Sequence, residues 1–278
     1  MSNDADDTRA ILDRRYLISG LALAAASAAG QATAAPVTPS EAEIALHGCA
    51  LRIVDLTHEL TTDFNFIAAR PRIEMQPIVG SGAAAAMNLN LLLLVEHTGT
   101  HIDAPRHFAN SGASLGEIPL QDLVVPLAVI DIRSRAGSER DAAVTIDDVM
   151  QWERRYGRLP RGCCVAMQSG WDPLTERRRM PSLPEQTARQ SPGFAMETID
   201  FLLENRDVKG VAVDAMSIHT GSNAPEYPVH QRWLRSGRWG IEGLTNLSAA
   251  PPSGAILVVG AAPIKDATGV PIRALAIF

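Results

Sequence analysis

One short segment of the chain concentrates the residue types that bind metal ions. Three of the seven histidines and one aspartate fall within eleven positions, in the run HTGTHIDAPRH that holds His97, His101, Asp103 and His107. Imidazole and carboxylate groups suit Zn²⁺, Mn²⁺ and similar ions, and a catalytic ion commonly takes about three protein ligands and keeps a position for water. The segment therefore predicts a metal site. The alternative is a polar surface turn that is rich in histidine.

The spacing of these residues predicts an extended backbone. Asp103 and the later histidines lie at even separations from His97, so an extended chain would point all four side chains to one side. A helix would place His97 and His101 on one face and Asp103 far from them. Gly99, Pro105 and the β-branched residues between them also disfavour a helix. We therefore expect one extended segment that presents four polar side chains together.

The same residues resemble a known family. The pattern H-x-G-T-H-x-D-x-P-x-H is that of the metal-dependent cyclase-like hydrolases, which include bacterial kynurenine formamidases and isatin hydrolases, and the resemblance runs from about residue 50 to 278. A weaker second element is His230, followed twelve residues later by Glu242. The family glutamate usually precedes an Asn-Leu pair, whereas Gly243 and Leu244 follow it here.

The resemblance implies a ligand set, a fold and an assembly. His97, His101 and Asp103 would hold a first divalent ion, zinc or manganese, and Asp103 could bridge it to a second ion held by His230 and Glu242. If only one ion binds, Glu242 would be free to act as a base. The family fold is a swivelling β/α/β arrangement with the site at strand ends. Its members commonly form a homodimer or homotetramer.

The ligand set points to hydrolysis of a small molecule. A divalent ion lowers the pKa of its water from 15.7 to about 7 and polarises a carbonyl group. His107, just after Pro105, could carry a proton to a leaving nitrogen, a role that an ordinary histidine pKa of about 6.5 suits. The leading hypothesis is an arylformamidase-like hydrolase of a carbonyl–nitrogen bond, with N-formylkynurenine or a related N-formyl aryl amide as substrate. A cyclic amide or lactone of the isatin type is the alternative substrate, and a non-catalytic exported metal-binding module is the alternative function.

Residues 1–34 predict an export signal. The pair Arg14-Arg15 precedes an apolar run from Leu17 to Ala29, and Ala32-Thr33-Ala34 forms an A-x-A cleavage site. The apolar run is shorter than the roughly 18 residues that suggest a membrane span. We therefore expect a periplasmic protein that uses the twin-arginine route and has no membrane segment in its mature form. Residues 35–278 would then form a single catalytic domain.

The net charge limits the classes of partner, and the cysteine content bears on whether disulfides form. The net charge of −6 becomes −5 when the three arginines and four aspartates of residues 1–34 are removed, which argues against nucleic acid or an anionic membrane as partner. The three cysteines are an odd set without Cys-x-x-Cys spacing. Cys163 and Cys164 lie in an apolar strand pattern, which predicts buried free thiols. A disulfide from Cys49 stays open as an alternative.

Strand and helix patterns alternate, which predicts an α/β domain with a mixed sheet. The leucine-rich segment 88–96 predicts a strand buried on both faces, and residues 61–86 predict an irregular stretch. His58, a lone histidine after a strand, is expected to lie in a loop or to support the ligands from behind. His219 lies outside the matched pattern and is expected to be structural. The other predicted strands are 51–56, 124–132, 163–168, 208–216, 255–260 and 272–278, and the predicted helices are 145–157 with Thr145 and Asp148 as its cap pair, one opened by Ser191-Pro192, and a short helix or turn that carries His230.

Overall fold

The computed structural model describes residues 41–46, 49–62, 73–80, 87–171, 190–223 and 226–278. The export signal predicted over residues 1–34 lies outside these ranges. Among the helices described, none is long and apolar enough to cross a membrane. The strands are β1 Glu41–Leu46, β2 Cys49–Asp55, β3 Glu74–Val79, β4 Leu89–Leu93, β5 His101–Asp103, β6 Val124–Asp131, β7 Ala143–Val144, β8 Cys163–Gln168, β9 Gly193–Phe194, β10 Val208–Val213, β11 Trp239–Glu242, β12 Ala255–Gly260, β13 Gly269–Pro271 and β14 Arg273–Ile277, and the α-helices are α1 Arg133–Ala136, α2 Ile146–Tyr156, α3 Met196–Asn205 and α4 Pro228–Leu234.

A ten-stranded mixed sheet forms the centre of the fold, in the order β1-β2-β14-β12-β6-β8-β10-β11-β5-β13. Strands β6, β8, β10 and β11 run parallel to their neighbours in that group, and the flanking strands pair antiparallel. Strand β8 is buried along its whole length, as a central strand covered on both faces should be. The predicted α/β fold with a mixed sheet is confirmed.

The two faces of the sheet belong to two separate cores, because successive side chains of a strand point to opposite sides. Val165 and Val211 pack with the apolar residues of α2, α3 and α4, and we name this side the helix face. Ala166 and Ala212 lie in the other cluster, which contains Leu115 and other residues of loops and short 3₁₀ turns, and we name that side the turn face.

Helix α2 begins and ends as its sequence predicts. The backbone N–H of Asp148 donates to Thr145 Oγ1 at 3.3 Å, and the backbone N–H of Thr145 donates to the Asp148 carboxylate at 2.8 Å. These two hydrogen bonds form a capping box. The helix ends at Gly157, whose φ of +91° suits a glycine. The predicted short helix around His230 is also present, as α4.

The helix predicted to open at Ser191-Pro192 begins later. Its first residue is Met196, because Gly193–Phe194 form strand β9 beside Ala143–Val144. Phe194 is fully buried, and its place in the helix-face core outweighs the local cap signal of the serine and proline.

The leucine-rich segment forms a strand, but its predicted burial is wrong. Strand β4 pairs with β3 in a separate two-stranded antiparallel sheet, and every residue of both strands is exposed. The prediction that residues 61–86 are irregular is also wrong where β3 lies. An apolar run predicts a segment that packs against other apolar residues but does not identify the partner element. Within the described chain, β4 pairs with β3 and not with the ten-stranded sheet.

The two neighbouring cysteines are free thiols in the middle of the sheet. Cys163 and Cys164 are both fully buried, as predicted. Burial raises the pKa of Cys163 to about 12 and raises the pKa of Cys164 well above its usual value. Both thiols are therefore protonated at neutral pH. The side chain of Cys49 is outside the described part of the chain.

Candidate metal centre

Two paired strands place the centre of the predicted site. His101 and Asp103 lie on β5, and Glu242 lies directly opposite His101 on β11. The intervening residues Ile102 and Ile241 belong to the turn-face core. Because side chains alternate along a strand, His101, Asp103 and Glu242 all point to the helix face. All three are almost completely buried.

His97 and His107 reach this centre through turns on either side of β5. Gly99 has a φ of +65°, and Pro105–His107 form a 3₁₀ turn. The expected single extended segment is therefore wrong outside the three residues of β5, because Gly99 and the proline turn redirect the chain. His97 Nδ1 nevertheless lies 2.6 Å from Asp103 Oδ1. The His107 ring stacks on the His97 ring, with centroids 3.9 Å apart.

Helix α4 contributes the last of the predicted ligands. His230 Nε2 lies 2.9 Å from Glu242 Oε1 and 3.5 Å from Asp103 Oδ2. The helix brings this histidine over β11 from the helix face, where its residue Trp233 packs in the core. The structure thus brings all six predicted site residues into one cluster, in which His107 is half-buried and the other five are buried.

The geometry of the cluster fits a divalent cation. His101 Nε2 lies 3.4 Å from Asp103 Oδ1 and 3.4 Å from Glu242 Oε2. Atoms that each lie about 2.1 Å from one tetrahedral ion are about 3.4 Å apart. A second group of ligand atoms, from His97, Asp103 and His107, also lies within 4.8 Å of one another. Asp103 belongs to both groups, so its carboxylate could be shared by two ions, and His107 is close enough to be a ligand.

The two buried carboxylates are held in their charged forms by the surrounding imidazoles. Burial raises the pKa of Asp103, but hydrogen bonds from His101, His230 and His97 bring that pKa well below its usual range. Burial and the charge of Asp103 raise the pKa of Glu242, and His101 and His230 outweigh both and lower it. Two negative charges therefore sit in a region that excludes water, and they require compensation.

Two protonated histidines provide that compensation in the metal-free protein. Burial lowers the pKa of His101, and hydrogen bonds to Asp103 and Glu242 raise it against that effect to about 10. The same balance raises the pKa of His230 to about 9. A divalent cation would supply the same two positive charges, and the imidazoles would then bind it in their neutral forms. The charge balance of this donor set therefore fits a divalent metal.

Hydrogen bonds outside the cluster decide which imidazole nitrogen faces it. His101 Nδ1 donates to the carbonyl of Gly99 at 2.8 Å, which leaves Nε2 toward the cluster. Thr268 Oγ1 donates its proton to Glu96, so it accepts from His97 Nε2 at 2.9 Å and leaves His97 Nδ1 toward the cluster. Such outer hydrogen bonds orient metal-binding histidines in many proteins.

Two residues that the sequence did not assign to the site, His219 and Ser217, contact its ligands. His219 is buried, and its Nδ1 lies 3.2 Å from His230 Nδ1 and 2.5 Å from Ser217 Oγ. Ser217 Oγ also donates to Glu242 Oε1 at 3.2 Å. Burial and the charge of His230 lower the pKa of His219 to about 4, so its imidazole is neutral at pH 7. Because the Ser217 hydroxyl gives its proton to Glu242, it accepts from His219 Nδ1. The two-residue spacing of Ser217 and His219 after β10 is the sequence signal that could have paired them. His58 is buried too, and its backbone N–H donates to Thr100 Oγ1 at 2.9 Å.

Aromatic side chains form one wall of the cluster. The ring centroid of Phe108 lies 5.2 Å from that of His230 and 5.8 Å from that of Tyr227. Tyr227 has a φ of +49°, a conformation that bulky residues adopt rarely and that tends to occur at functional sites. The wall offers flat apolar surface directly beside the ionisable groups.

The fold and this cluster define an α/β protein with a buried histidine and carboxylate cluster whose geometry could hold a divalent metal. A family profile described as "Putative cyclase" matches residues 54–220, and the chain belongs to this cyclase family. Isatin hydrolase of Roseibium aggregatum is 32% identical over 196 residues, which cover 68% of this chain and 74% of that protein. Kynurenine formamidase of Salinibacter ruber is 28% identical over 191 residues, which cover 69% and 80%. The structure of isatin hydrolase A from Labrenzia aggregata bound to benzyl benzoate superposes with a TM-score of 0.72 at 33% identity and covers 82% of this chain and 93% of that one. The resemblance inferred from the histidine motif is confirmed.

Proposed function

We propose that this protein is a metal-dependent hydrolase of the carbonyl–nitrogen bond of an aromatic amide, with a cyclic amide of the isatin type as the first candidate. The observation that carries the proposal is the convergence of imidazoles and carboxylates in one buried cluster beside an aromatic wall. The identity of 32% to an isatin hydrolase, against 28% to a kynurenine formamidase, favours the cyclic amide.

The metal would be held by His97, His101, Asp103, His230 and Glu242, with Asp103 shared if two ions bind. When bound, zinc or manganese supplies a Lewis acid that lowers the pKa of water from 15.7 to about 7 and polarises a carbonyl oxygen. Both ions suit a set of imidazoles and carboxylates.

Other side chains would transfer the proton and hold the aromatic ring of the substrate. Burial lowers the pKa of His107 to about 4, below the ordinary value of about 6.5 expected from the sequence, so its imidazole is neutral at pH 7 and is a weaker base, with a ring nitrogen that can accept a proton. His107 takes this proton from the attacking water, whose oxygen bonds to the carbonyl carbon, and gives it to the nitrogen as the carbon–nitrogen bond breaks. Phe108 and Tyr227 would hold the aromatic ring. Opening a cyclic amide in this way leaves a carboxylate and an arylamine on one product.

An N-formyl aryl amide such as N-formylkynurenine is the second candidate, and the similarity to kynurenine formamidases supports it. The same water attack on a formyl carbon would release formate and a free arylamine. The two candidates differ in whether the leaving nitrogen stays attached to the product, so a direct comparison of rates separates them.

The test is a substrate panel with the purified, metal-loaded protein. We expect hydrolysis of isatin to exceed that of N-formylkynurenine and of a lactone, to stop with a chelator, and to return with zinc or manganese. Glu242→Gln should lose metal and turnover, whereas Glu204→Gln, which changes an exposed carboxylate on α3, should keep both. A metal-loaded protein that hydrolyses no member of the panel would instead support a non-catalytic metal-binding module.

We also propose that the chain is exported to the periplasm by the twin-arginine route. The proposal rests on the sequence of residues 1–34, with Arg14-Arg15 ahead of an apolar run and Ala32-Thr33-Ala34 after it. Replacing the arginine pair by two lysines should hold the precursor in the cytoplasm, since the export receptor reads that pair. Cell fractionation and the precursor mass measure the outcome, and normal periplasmic accumulation of the lysine variant contradicts the proposal.

A further inference from the structure

A second cavity opens on the turn face of the sheet. It has a volume of about 180 Å³ and lies at the carboxyl ends of β8 and β10. Leu244 and Leu247, which belong to the turn-face core, contribute apolar surface to it. The polar and aromatic residues that line it are Arg133, Gln168, Trp171, Asp214, Thr245, Asn246 and Ser248.

The alternation of side chains separates this cavity from the metal centre. Ala166 and Ala212 face the turn-face core, so Gln168 and Asp214, each two positions further along, face the same way. Glu242 lies on the helix face. Gln168 and Asp214 thus lie on the opposite side of the sheet from Glu242, while Trp171, which packs against the helix-face core, lines the cavity at the strand ends. The cavity lining shares no residue with the metal centre.

Gln168 is the residue that indicates a ligand. Its side chain is only 7% exposed, yet within the described chain its amide makes no hydrogen bond. The amide atoms are not sealed in packed protein, and the side chain lines the cavity. Buried polar groups are hydrogen-bonded in the great majority of cases, and a carboxamide offers two donors and an acceptor. The amide of this largely buried residue therefore faces the cavity without a hydrogen bond to the described part of the protein.

The charged groups of the cavity are already satisfied by the protein. The carboxylate of Asp214 accepts from the backbone N–H and the hydroxyl of Ser169, at 2.9 Å and 2.6 Å, and from the backbone N–H of Gly170 at 2.8 Å. The guanidinium of Arg133 donates to both oxygens of Asp131, at 2.9 Å and 2.6 Å. The guanidinium of Arg133 is close to two carboxylates, those of Asp131 and Asp214, so these three groups together carry a net negative charge. This disfavours an anionic ligand.

We propose that this cavity binds a small, neutral, planar molecule that carries an amide group. The ligand amide pairs with the Gln168 amide through two complementary hydrogen bonds, and the Trp171 ring contacts its flat face. The hydroxyls of Thr245 and Ser248 serve polar atoms at the rim. A volume of about 180 Å³ suits a single ring with one substituent. The site is independent of the chemistry proposed for the metal centre.

The probe for this site is benzamide, titrated into the metal-loaded full-length protein and followed by ligand-observed NMR. We expect saturable binding that weakens at least tenfold in Gln168→Leu and in Trp171→Leu. Gln151→Leu, a matched change at an exposed glutamine of α2, should bind benzamide as the wild type does. His101→Ala, which alters the metal centre, should bind it equally well. Benzoate should bind at least tenfold more weakly than benzamide.

Each other result overturns the proposal in a distinct way. If the wild type and Gln168→Leu bind benzamide with equal affinity, Gln168 does not pair with the ligand amide. If only His101→Ala loses binding, benzamide binds at the metal centre. Benzoate that binds as tightly as benzamide rules out selection for a neutral ligand. Circular dichroism and the thermal midpoint check that each variant folds. If Gln168→Leu does not fold, the half-buried Trp171→Leu decides the result.

Discussion

At the scale of single residues, His107 connects ligation and proton transfer. Its ring lies parallel to that of His97 within 28°, and its ligand atom is within reach of the same space as those of His97 and Asp103. An imidazole so placed could bind an ion directly or move a proton beside it. Geometry alone admits both roles, but their chemical consequences differ.

We predict that His107→Ala keeps near-normal metal content while kcat for an amide falls by roughly 10²–10⁴, the usual effect of removing a positioned acid or base. The loss should be smaller for an activated ester, because its leaving oxygen departs as a stable anion and an amide nitrogen must be protonated. Metal analysis and the kcat ratio of the two substrates measure this.

Asp103→Ala is the comparison variant for His107, since losing a shared ligand should abolish turnover of both substrates together. If His107→Ala loses its metal, or if it is equally impaired on amide and ester, His107 is a ligand or a scaffold residue and the proton-transfer role is wrong.

At the scale of secondary-structure elements, the edge strand β13 presses against the metal centre. It pairs with β5 opposite the side that meets β11. A Cβ atom at Gly269 would lie 2.5 Å from His97 Cε1 and 2.6 Å from the carbonyl oxygen of Ile102. Only glycine permits this approach, and the approach in turn limits where the His97 ring can lie.

We predict that Gly269→Ala displaces His97 and weakens metal binding by about 10- to 100-fold, the range seen when groups that orient a ligand are changed. Gly137→Ala is the matched control, because a Cβ there meets no atom closer than 3.3 Å. Competition with a chelator of known affinity measures the effect. Unchanged metal affinity in Gly269→Ala would show that the His97 position does not depend on this strand.

The elements also show what the sequence could and could not reveal. Local signals were sufficient where neighbouring residues determine the structure. The Thr145 cap sets the start of α2, and the apolar run of β8 predicts a buried strand. They failed where a distant element decides it, as when β9 delays the start of α3 and β3 takes β4 away from the main sheet. The same limit applies at the centre, because the spacing of Ser217 and His219 could pair these two residues with each other but could not place them against His230 and Glu242, which lie on other elements.

At the scale of the whole molecule, the hairpin of β3 and β4 is the largest exposed apolar feature described. Eight of the fifteen exposed large hydrophobic residues lie on it or beside it, between Met75 and Leu93. Eight half-exposed side chains of this size present on the order of 600 Å², near the roughly 800 Å² that each partner gives to a standard interface. A two-stranded hairpin is at best marginally stable in water on its own. The hairpin therefore needs cover.

We propose that a second copy of this chain provides the cover, in the homodimer or homotetramer that the sequence leads us to expect. Most soluble oligomers are symmetric and use the same surface on both copies. The hairpin suits this use because Glu74 is its single charged residue, so apolar side chains meet with little cost of burying charge. Leu89, Leu91 and Leu93 share one face of β4 and would form the centre of the contact.

We predict that Leu91→Lys shifts the protein from an oligomer to the mass of a single chain at micromolar concentration, because two copies would bring like charges together in an apolar contact. Light scattering after size-exclusion chromatography measures the mass. Leu120→Lys is the matched control, since this leucine is 81% exposed outside the hairpin and its change should leave the mass unaltered. Leu91 is already 50% exposed within one chain, so the thermal midpoint of the dissociated variant should reflect only the lost contact. A wild-type protein that is monomeric, or a Leu91→Lys variant that stays oligomeric, contradicts the proposal and leaves the hairpin to a different partner.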